Sequence, residues 1–251
     1  MSTGIGVGIA GQVFQTKAGA GIAPDPSYSN LYSVLFDGVD EYLTSTTSPV
    51  FGTANWSVNY WIYRTSTSGS QRLMSKSGGS DAAWEIVVTN GGVMQFISSP
   101  WNDGDGTNSP GTSVWEMWTY SVDRSGLAIW YKNGANPNQK TISAISGDFG
   151  GGTSTLFEFG KSGSSYNFAG NLDEISMWNK ALSSSEITAL YNSGVPTDLL
   201  SSAPASNLIN WFRMGDPGGT GSYPTISDAK GSIAMTMTNM ASSNITTNVP
   251  S

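Results

Sequence analysis

Between residues 31 and 178 the chain breaks into short apolar runs separated by turn residues, and within the runs apolar and polar positions alternate. In 56–63, WSVNYWIY, Trp56, Val58, Tyr60 and Ile62 fall on one face and Ser57, Asn59, Trp61 and Tyr63 on the other, the two-residue period of a strand. The run 84–97, WEIVVTNGGVMQFI, predicts two strands around Asn90-Gly91-Gly92, where glycine and asparagine supply the positive φ values of a tight hairpin. The run 117–134 repeats the design with its turn at Arg124-Ser125-Gly126. Consecutive hairpins at even spacing predict an antiparallel sandwich or jelly roll rather than a parallel sheet. One helix interrupts this pattern. Ser183-Ser184-Ser185-Glu186 spells a capping box, Ile187, Leu190 and Tyr191 share a face, and Asn192-Ser193-Gly194 followed by Pro196 ends the element.

Composition sharpens the picture. At 251 residues one large core is attainable without disulfide or metal, so the absence of cysteine is no handicap. Charged residues make up only 12% of the chain and the net charge is −7, which opposes binding to a phosphate backbone. Nucleic acid is not expected as a partner. The start, MSTGIGVGIAGQVFQTK, has neither a basic leader nor a continuous apolar run, so neither an export signal nor membrane insertion is expected.

The blocks YSVLFDGVDEYL (32–43), WSVNYWIY, RLMSKSG (72–78), WTYSVDRSGLAIWYKNG and GNLDEISMWNKALSSSEITALYNSG resemble successive parts of the laminin-G-like, concanavalin A-like lectin and glucanase jelly roll superfamily. The resemblance covers roughly residues 31–194 and is most specific in its last block. It implies an all-β fold: two packed antiparallel sheets, with the short helix covering one end. Residues 1–30 are then an extended glycine-rich arm, 31–195 the jelly roll, and 196–251 a segment closing the same sandwich, since some forty residues rarely supply a core of their own. A glycine-rich arm, this jelly roll and a tail of the form WFRMGD…TMTNM…NVPS are together similar to structural proteins of tailed bacteriophages, marine ones in particular.

The chain contains no histidine and no cysteine, which rules out a Ser-His-Asp triad, a Cys-His pair and the usual zinc sites. A glycosidase needs only two carboxylates, but Glu41, Glu85, Glu116, Glu158, Glu174 and Glu186 show none of the Glu-x-Asp-x-(x)-Glu strand spacing of glucanases on this fold. Asp173 and Glu174 are adjacent, which on a regular strand sends them to opposite sides; Asp173 is expected to be a structural hydrogen-bonding residue. Asp216 and Asp228 are expected to cap turns. Gly6, Gly8 and Gly11 match the dinucleotide fingerprint in spelling but lack its strand-turn-helix context. The two glycosylation spellings, at Asn55 and Asn244, are expected to be coincidental.

The loop WNDGDGTNSP (101–110) is the main candidate for binding chemistry. Asp103 and Asp105 are candidate calcium ligands, and Trp101, Asn102 and Asn108 candidate contacts to a sugar; a plain polar turn is the competing reading. Trp61, Trp101 and Trp115 are candidates for an outward aromatic platform, while the other tryptophans belong to the core. The leading expectation is a non-enzymatic structural component of a virion, located in the particle. Its arm, through Gly4, Ile5, Gly6, Val7, Gly8 and Ile9, would join copies of itself and other virion proteins. The alternative is a calcium-dependent carbohydrate-binding adhesin facing cell-surface glycans, with a glycoside hydrolase third.

Overall fold

The computed structural model describes residues 28–77, 84–98, 101–104 (through their backbone), 109–142, 156–162 and 166–251. Among them the strands are β1 (Ser33–Asp37), β2 (Tyr42–Ser45), β3 (Trp56–Arg64), β4 (Gln71–Ser77), β5 (Trp84–Val88), β6 (Met94–Ser98), β7 (Trp101–Gly104) and β8 (Trp115–Val122). There follow β9 (Leu127–Lys132), β10 (Ala135–Thr141), β11 (Leu156–Phe159), β12 (Ala169–Trp178), the helix α1 (Ser184–Tyr191), β13 (Leu208–Phe212), β14 (Thr225–Ser227), β15 (Ala234–Thr238) and β16 (Ile245–Thr246). They form two antiparallel sheets. Sheet I runs β10-β9-β8-β3-β12-β1-β16, with β13 also paired to β12, and sheet II runs β14-β15-β2-β11-β4-β5-β6-β7. Strands later than residue 196 enter both sheets: β13 pairs with β12 and β16 with β1 in sheet I, and β15 with β2 in sheet II. The all-β sandwich with one short helix is as expected.

The inter-sheet core is built on aromatic rings. Phe51 stacks on Trp56 at 4.2 Å, Trp56 meets Phe96 at 5.2 Å and Tyr120 at 5.5 Å, and Tyr120 stacks on Trp130 at 4.4 Å. Trp56 and Tyr120 come from sheet I and Phe96 from sheet II, so the chain of rings ties the layers together with contacts worth about 0.5–1.5 kcal/mol each beyond burial. The alternation in β3 sends Trp56, Val58, Tyr60 and Ile62 into this core.

The other face of β3 is also buried, contrary to a simple inside-outside alternation. Trp61 joins Met117, Tyr131, Trp178, Leu182, Ile187, Leu190, Leu199, Leu208 and Trp211 in a second apolar cluster on the outer side of sheet I. The helix therefore packs on this outer face and not over an end of the sandwich. Outward positions of β3, β8 and β9 include Trp61, Met117 and Tyr131, which need a cover. Its start is as expected: Ser183 Oγ accepts from the Glu186 amide at 3.3 Å, and the Ser183 amide donates to Glu186 Oε2 at 2.9 Å. Asn192 ends it in the left-handed conformation. Buried serines fix the approach to the helix: Ser57 Oγ donates to the Lys180 carbonyl at 2.8 Å, and Ser121 Oγ to that of Leu182 at 2.9 Å.

Gly170 permits β3 and β12 to come together. Its φ is +141°, and a Cβ there would collide with the Tyr63 carbonyl oxygen and stand 3.0 Å from Arg64 Cα. Both objections are to backbone, which cannot swing aside. Gly170→Ala should therefore cost roughly 2–4 kcal/mol and lower Tm by about 5 °C or more. Gly52→Ala, at φ +61° in open space, should cost only about 1 kcal/mol. Equal losses in thermal denaturation would contradict this packing.

Candidate functional site

Residues 101–104 form an edge strand where a loop was expected. Trp101 pairs with Ser98, Asn102 with Ile97 and Asp103 with Phe96, because pairing along the exposed edge of β6 satisfies backbone groups that a loop would leave to water. Asp105, Asn108 and the arm residues Gly4, Ile5, Gly6, Val7, Gly8 and Ile9 lie outside the described residues. Among the described residues no three acidic side chains gather as a cation would require. Of the other platform candidates, Trp61 is sealed under the helix, its ring 5.8 Å from that of Tyr191. Trp115 is half-buried beside Tyr63 and donates through Nε1 to Asn248 Oδ1 at 3.1 Å.

The outer face of sheet II is different. Its outward positions mix polar and charged side chains and single tyrosines with isolated aliphatic residues, Val87 opposite Arg72 and Ile97 opposite Glu85. Insertion of β11 between β2 and β4 brings Glu158 opposite Ser75, and Ser75 opposite Glu85. Two carboxylates far apart in the chain thus flank one serine, their backbones about two strand spacings, ~10 Å, apart. Glu85 is engaged at both oxygens: Arg72 Nε donates to Oε2 at 2.7 Å, and Ser162 Oγ donates to Oε1. Ser75 Oγ donates to the Lys161 carbonyl at 2.9 Å and faces Glu158 Oε2 at 3.4 Å. Each neighbouring cation sits over a tyrosine ring, Arg72 at 4.2 Å from the centre of Tyr166 and Lys161 at 4.0 Å from that of Tyr42. Tyr166 is 44% exposed. Flat rings beside fixed charged donors and acceptors are the elements that take a sugar, its C–H face on the ring and its hydroxyls on the charges. Sequence spacing could not assemble this group, because it depends on which strand enters between β2 and β4. The outward positions of the 72–78 and 84–88 runs were the available signal.

A second cluster lies on the sheet I side. A β-bulge between Asp173 and Ser176, with Glu174 at φ +48°, replaces the regular alternation and brings both carboxyls against the segment 28–32, which corrects the expectation that they point apart. Asp173 accepts from Asn30 Nδ2 at 3.0 Å and from the Glu174 amide at 2.8 Å, the structural role expected of it. Glu174 accepts from Trp211 Nε1 and faces Arg213 Nε at 3.4 Å. Tyr28 stacks on Trp211 with ring centres 6.2 Å apart, and the Arg213 guanidinium lies 4.7 Å from the Tyr28 ring. Asp216 takes the amides of Leu31 and Tyr32 at 2.8 and 3.3 Å, anchoring β1 and not a local turn, whereas Asp228 caps its own turn through the amides of Lys230 and Gly231. Burial pushes the Glu174 carboxyl up to about 7, against the pull of Arg213 and the Trp211 N–H. Burial, then the charge of Glu174, pushes Asp173 up as well.

The laminin G-like profile of the concanavalin A-like lectin/glucanases superfamily matches residues 37–188. The chain belongs to that superfamily. No curated protein matches the sequence. Among solved structures, a Bacteroides ovatus protein whose name proposes carbohydrate binding superposes with a TM-score of 0.68 at 16% identity over 89% of this chain, which spans 62% of that protein's length. The heptameric SAP-like pentraxin of Limulus polyphemus gives 0.52 at 11% identity, over 64% of this chain and 82% of its own. Domain 4 of an extracellular GH43 arabinanase from Geobacillus stearothermophilus, solved with arabinotriose, gives 0.51 at 22% identity over 63% of this chain and 76% of its own. At these identities the likeness is one of fold, the superfamily's jelly roll.

The buried acids give stability a defined pH dependence. Raised carboxyls favour the protonated form in the fold, so their contribution is present at acid pH and lost as pH rises from about 4.5 through about 7, at roughly 1 kcal/mol per pH unit. Asp123, held down by the Ser125 amide, loses its contribution only at more acid pH. Thermal denaturation should give a Tm several degrees lower at pH 8 than at pH 5, and Glu174→Gln should at least halve that difference. A wild-type protein equally stable at both values would contradict the arrangement.

Proposed function

We propose that the chain is a non-catalytic carbohydrate-binding module whose recognition surface is the outer face of sheet II. The observation that carries this reading is the group on that face: Tyr166 and Tyr42 each bearing a cation, with Arg72 held by Glu85. The sugar-bound domain of the arabinanase and the name of the Bacteroides protein support it by fold. The convergence of Glu85 and Glu158 raises the glycosidase alternative, but Glu85 is committed at both oxygens, and a general acid or nucleophile needs one free. The calcium expected at Asp103 and Asp105 belongs to the same proposal as a stabiliser of the 101–110 region.

The virion role is a second reading, favoured by how residues 28–32 are fastened. They are fixed to the outer side of sheet I, the side opposite the proposed sugar face. An arm attached there would join copies of the chain or other virion proteins through Gly4–Ile9 while the sugar face points outward. Removing residues 1–27, which leaves the Tyr28 anchor in place, should abolish incorporation into the particle; normal occupancy of the truncated chain would refute this role.

On an array of neutral and acidic glycans the wild-type chain should bind at least one class. Tyr166→Ala and Arg72→Gln should each weaken binding about tenfold, Leu200→Ser on the sheet I side should leave it unchanged, and incubation with the same glycan should release no reducing sugar. Loss on chelation would support the calcium element. Binding unaffected by both sheet II variants, or sugar release abolished by Glu158→Gln, would overturn the assignment.

A further inference from the structure

Among the described residues, Arg64 carries a buried charge with unpaired donors. Arg64 closes β3 on the same side as Ile62 and Tyr60, pointing between the sheets at the end where the chain crosses to β4, and it is 2% exposed. Its Nε and Nη2 are buried without a hydrogen-bond acceptor. Gln71, the first residue of β4 and opposite core-facing Val88, is also 2% exposed. Its Nε2 donates to the carbonyls of Ser66 and Ser68 at 2.9 and 3.3 Å, while its Oε1 is buried with no donor. The inward-facing acid at this end, Glu116, is occupied by Lys132 Nζ at 2.8 Å, Trp118 Nε1 at 3.1 Å and the Gly111 amide at 3.2 Å.

We propose that this end of the sandwich is a binding site for a carboxylate that carries a neighbouring hydroxyl. A guanidinium does not give up its proton in a protein, and a buried charge without a counter-charge is strongly unfavourable. A water molecule would bridge the polar atoms but leave the charge uncompensated. An anion removes both deficits. The two orphaned atoms are the adjacent Nε–Nη2 pair, the fork that takes both oxygens of one carboxylate in parallel. Gln71 Oε1, its amide held by the two carbonyl contacts, then needs a donor, which a hydroxyl beside the carboxylate supplies. The scaffold is firm: the Arg64 carbonyl accepts from the Ser113 amide at 2.8 Å, the Thr65 amide donates to the Ala169 carbonyl at 3.0 Å, and Gly170 packs against Arg64 Cα. Burial also lowers the Arg64 pKa, with no acidic group opposing the shift. Uronic acid residues of glycans and free hydroxy acids share this chemistry. The site lies at the end of the sandwich, apart from the outer face of sheet II, so it stands or falls independently of that surface.

The test is a titration of the full chain with sodium glucuronate and sodium lactate, against glucose and against sodium chloride at matched ionic strength. It is followed by Tm and by the Arg64 Nε–H resonance. Both carboxylates should move the resonance and raise Tm, and glucose and chloride should do neither; tighter binding of glucuronate than lactate assigns the site to an acidic sugar, and the reverse to a free hydroxy acid. Arg64→Lys, which keeps charge but not the fork, should weaken binding by at least about tenfold. Arg64→Met should abolish it while folding at least as well without anion. A resonance unmoved at saturating glucuronate and lactate, a response reproduced by chloride, or one that persists in Arg64→Met would overturn the proposal. Should Arg64→Met not fold, the wild-type resonance decides alone.

Discussion

A β-sandwich turns two sheet faces inward and leaves two outward, and the treatment of the outward pair governs everything else in this fold. On sheet I the outward residues of β3, β8 and β9 include Trp61, Met117 and Tyr131, too apolar to face water, so a helix and the chain that follows it are laid over them. On sheet II the outward residues are Tyr42, Arg72, Glu85, Glu158 and their neighbours, which satisfy one another by ion pairs and ring contacts. The helix α1 is laid where one outer face demands a cover. The open face is where the proposed recognition falls, because its charged and aromatic side chains are not roofed by a helix.

The same asymmetry explains how the chain is fastened at residues 28–32. The covered side also carries the bulge at Glu174, where three carboxyls, Asp173, Glu174 and Asp216, meet a single arginine, Arg213. Burying acids with fewer cations than charges costs stability unless protons make up the difference, and the upward shifts of Asp173 and Glu174 are that difference. Tying residues 28–32 into this cluster through Asn30, Leu31 and Tyr32 couples the start of β1 to the protonation of a site more than a hundred residues later in the chain.

Much of the fold was legible locally. Alternation in 56–63 marks β3, Asn90-Gly91-Gly92 marks the β5–β6 hairpin, and Ser183 with Glu186 marks the helix start, because each depends on residues a few positions apart. What escaped was non-local. The position of the helix on the outer face of sheet I requires knowing that Trp61, Met117 and Tyr131 from three strands form one surface. The acids Glu85 and Glu158 look unrelated until β11 enters beside β4. Adjacent Asp173 and Glu174 look opposed until a bulge turns them together. The 101–104 stretch has turn-forming residues, yet edge pairing to β6 overrides them.

Hydrogen exchange of the whole chain with and without a bound glycan reports which face of the sandwich is touched, without altering either. Added protection should concentrate in β4, β5 and β11, around Arg72, Glu85 and Glu158. Protection appearing instead in α1 and the 195–212 segment over sheet I, with sheet II unchanged, would contradict it.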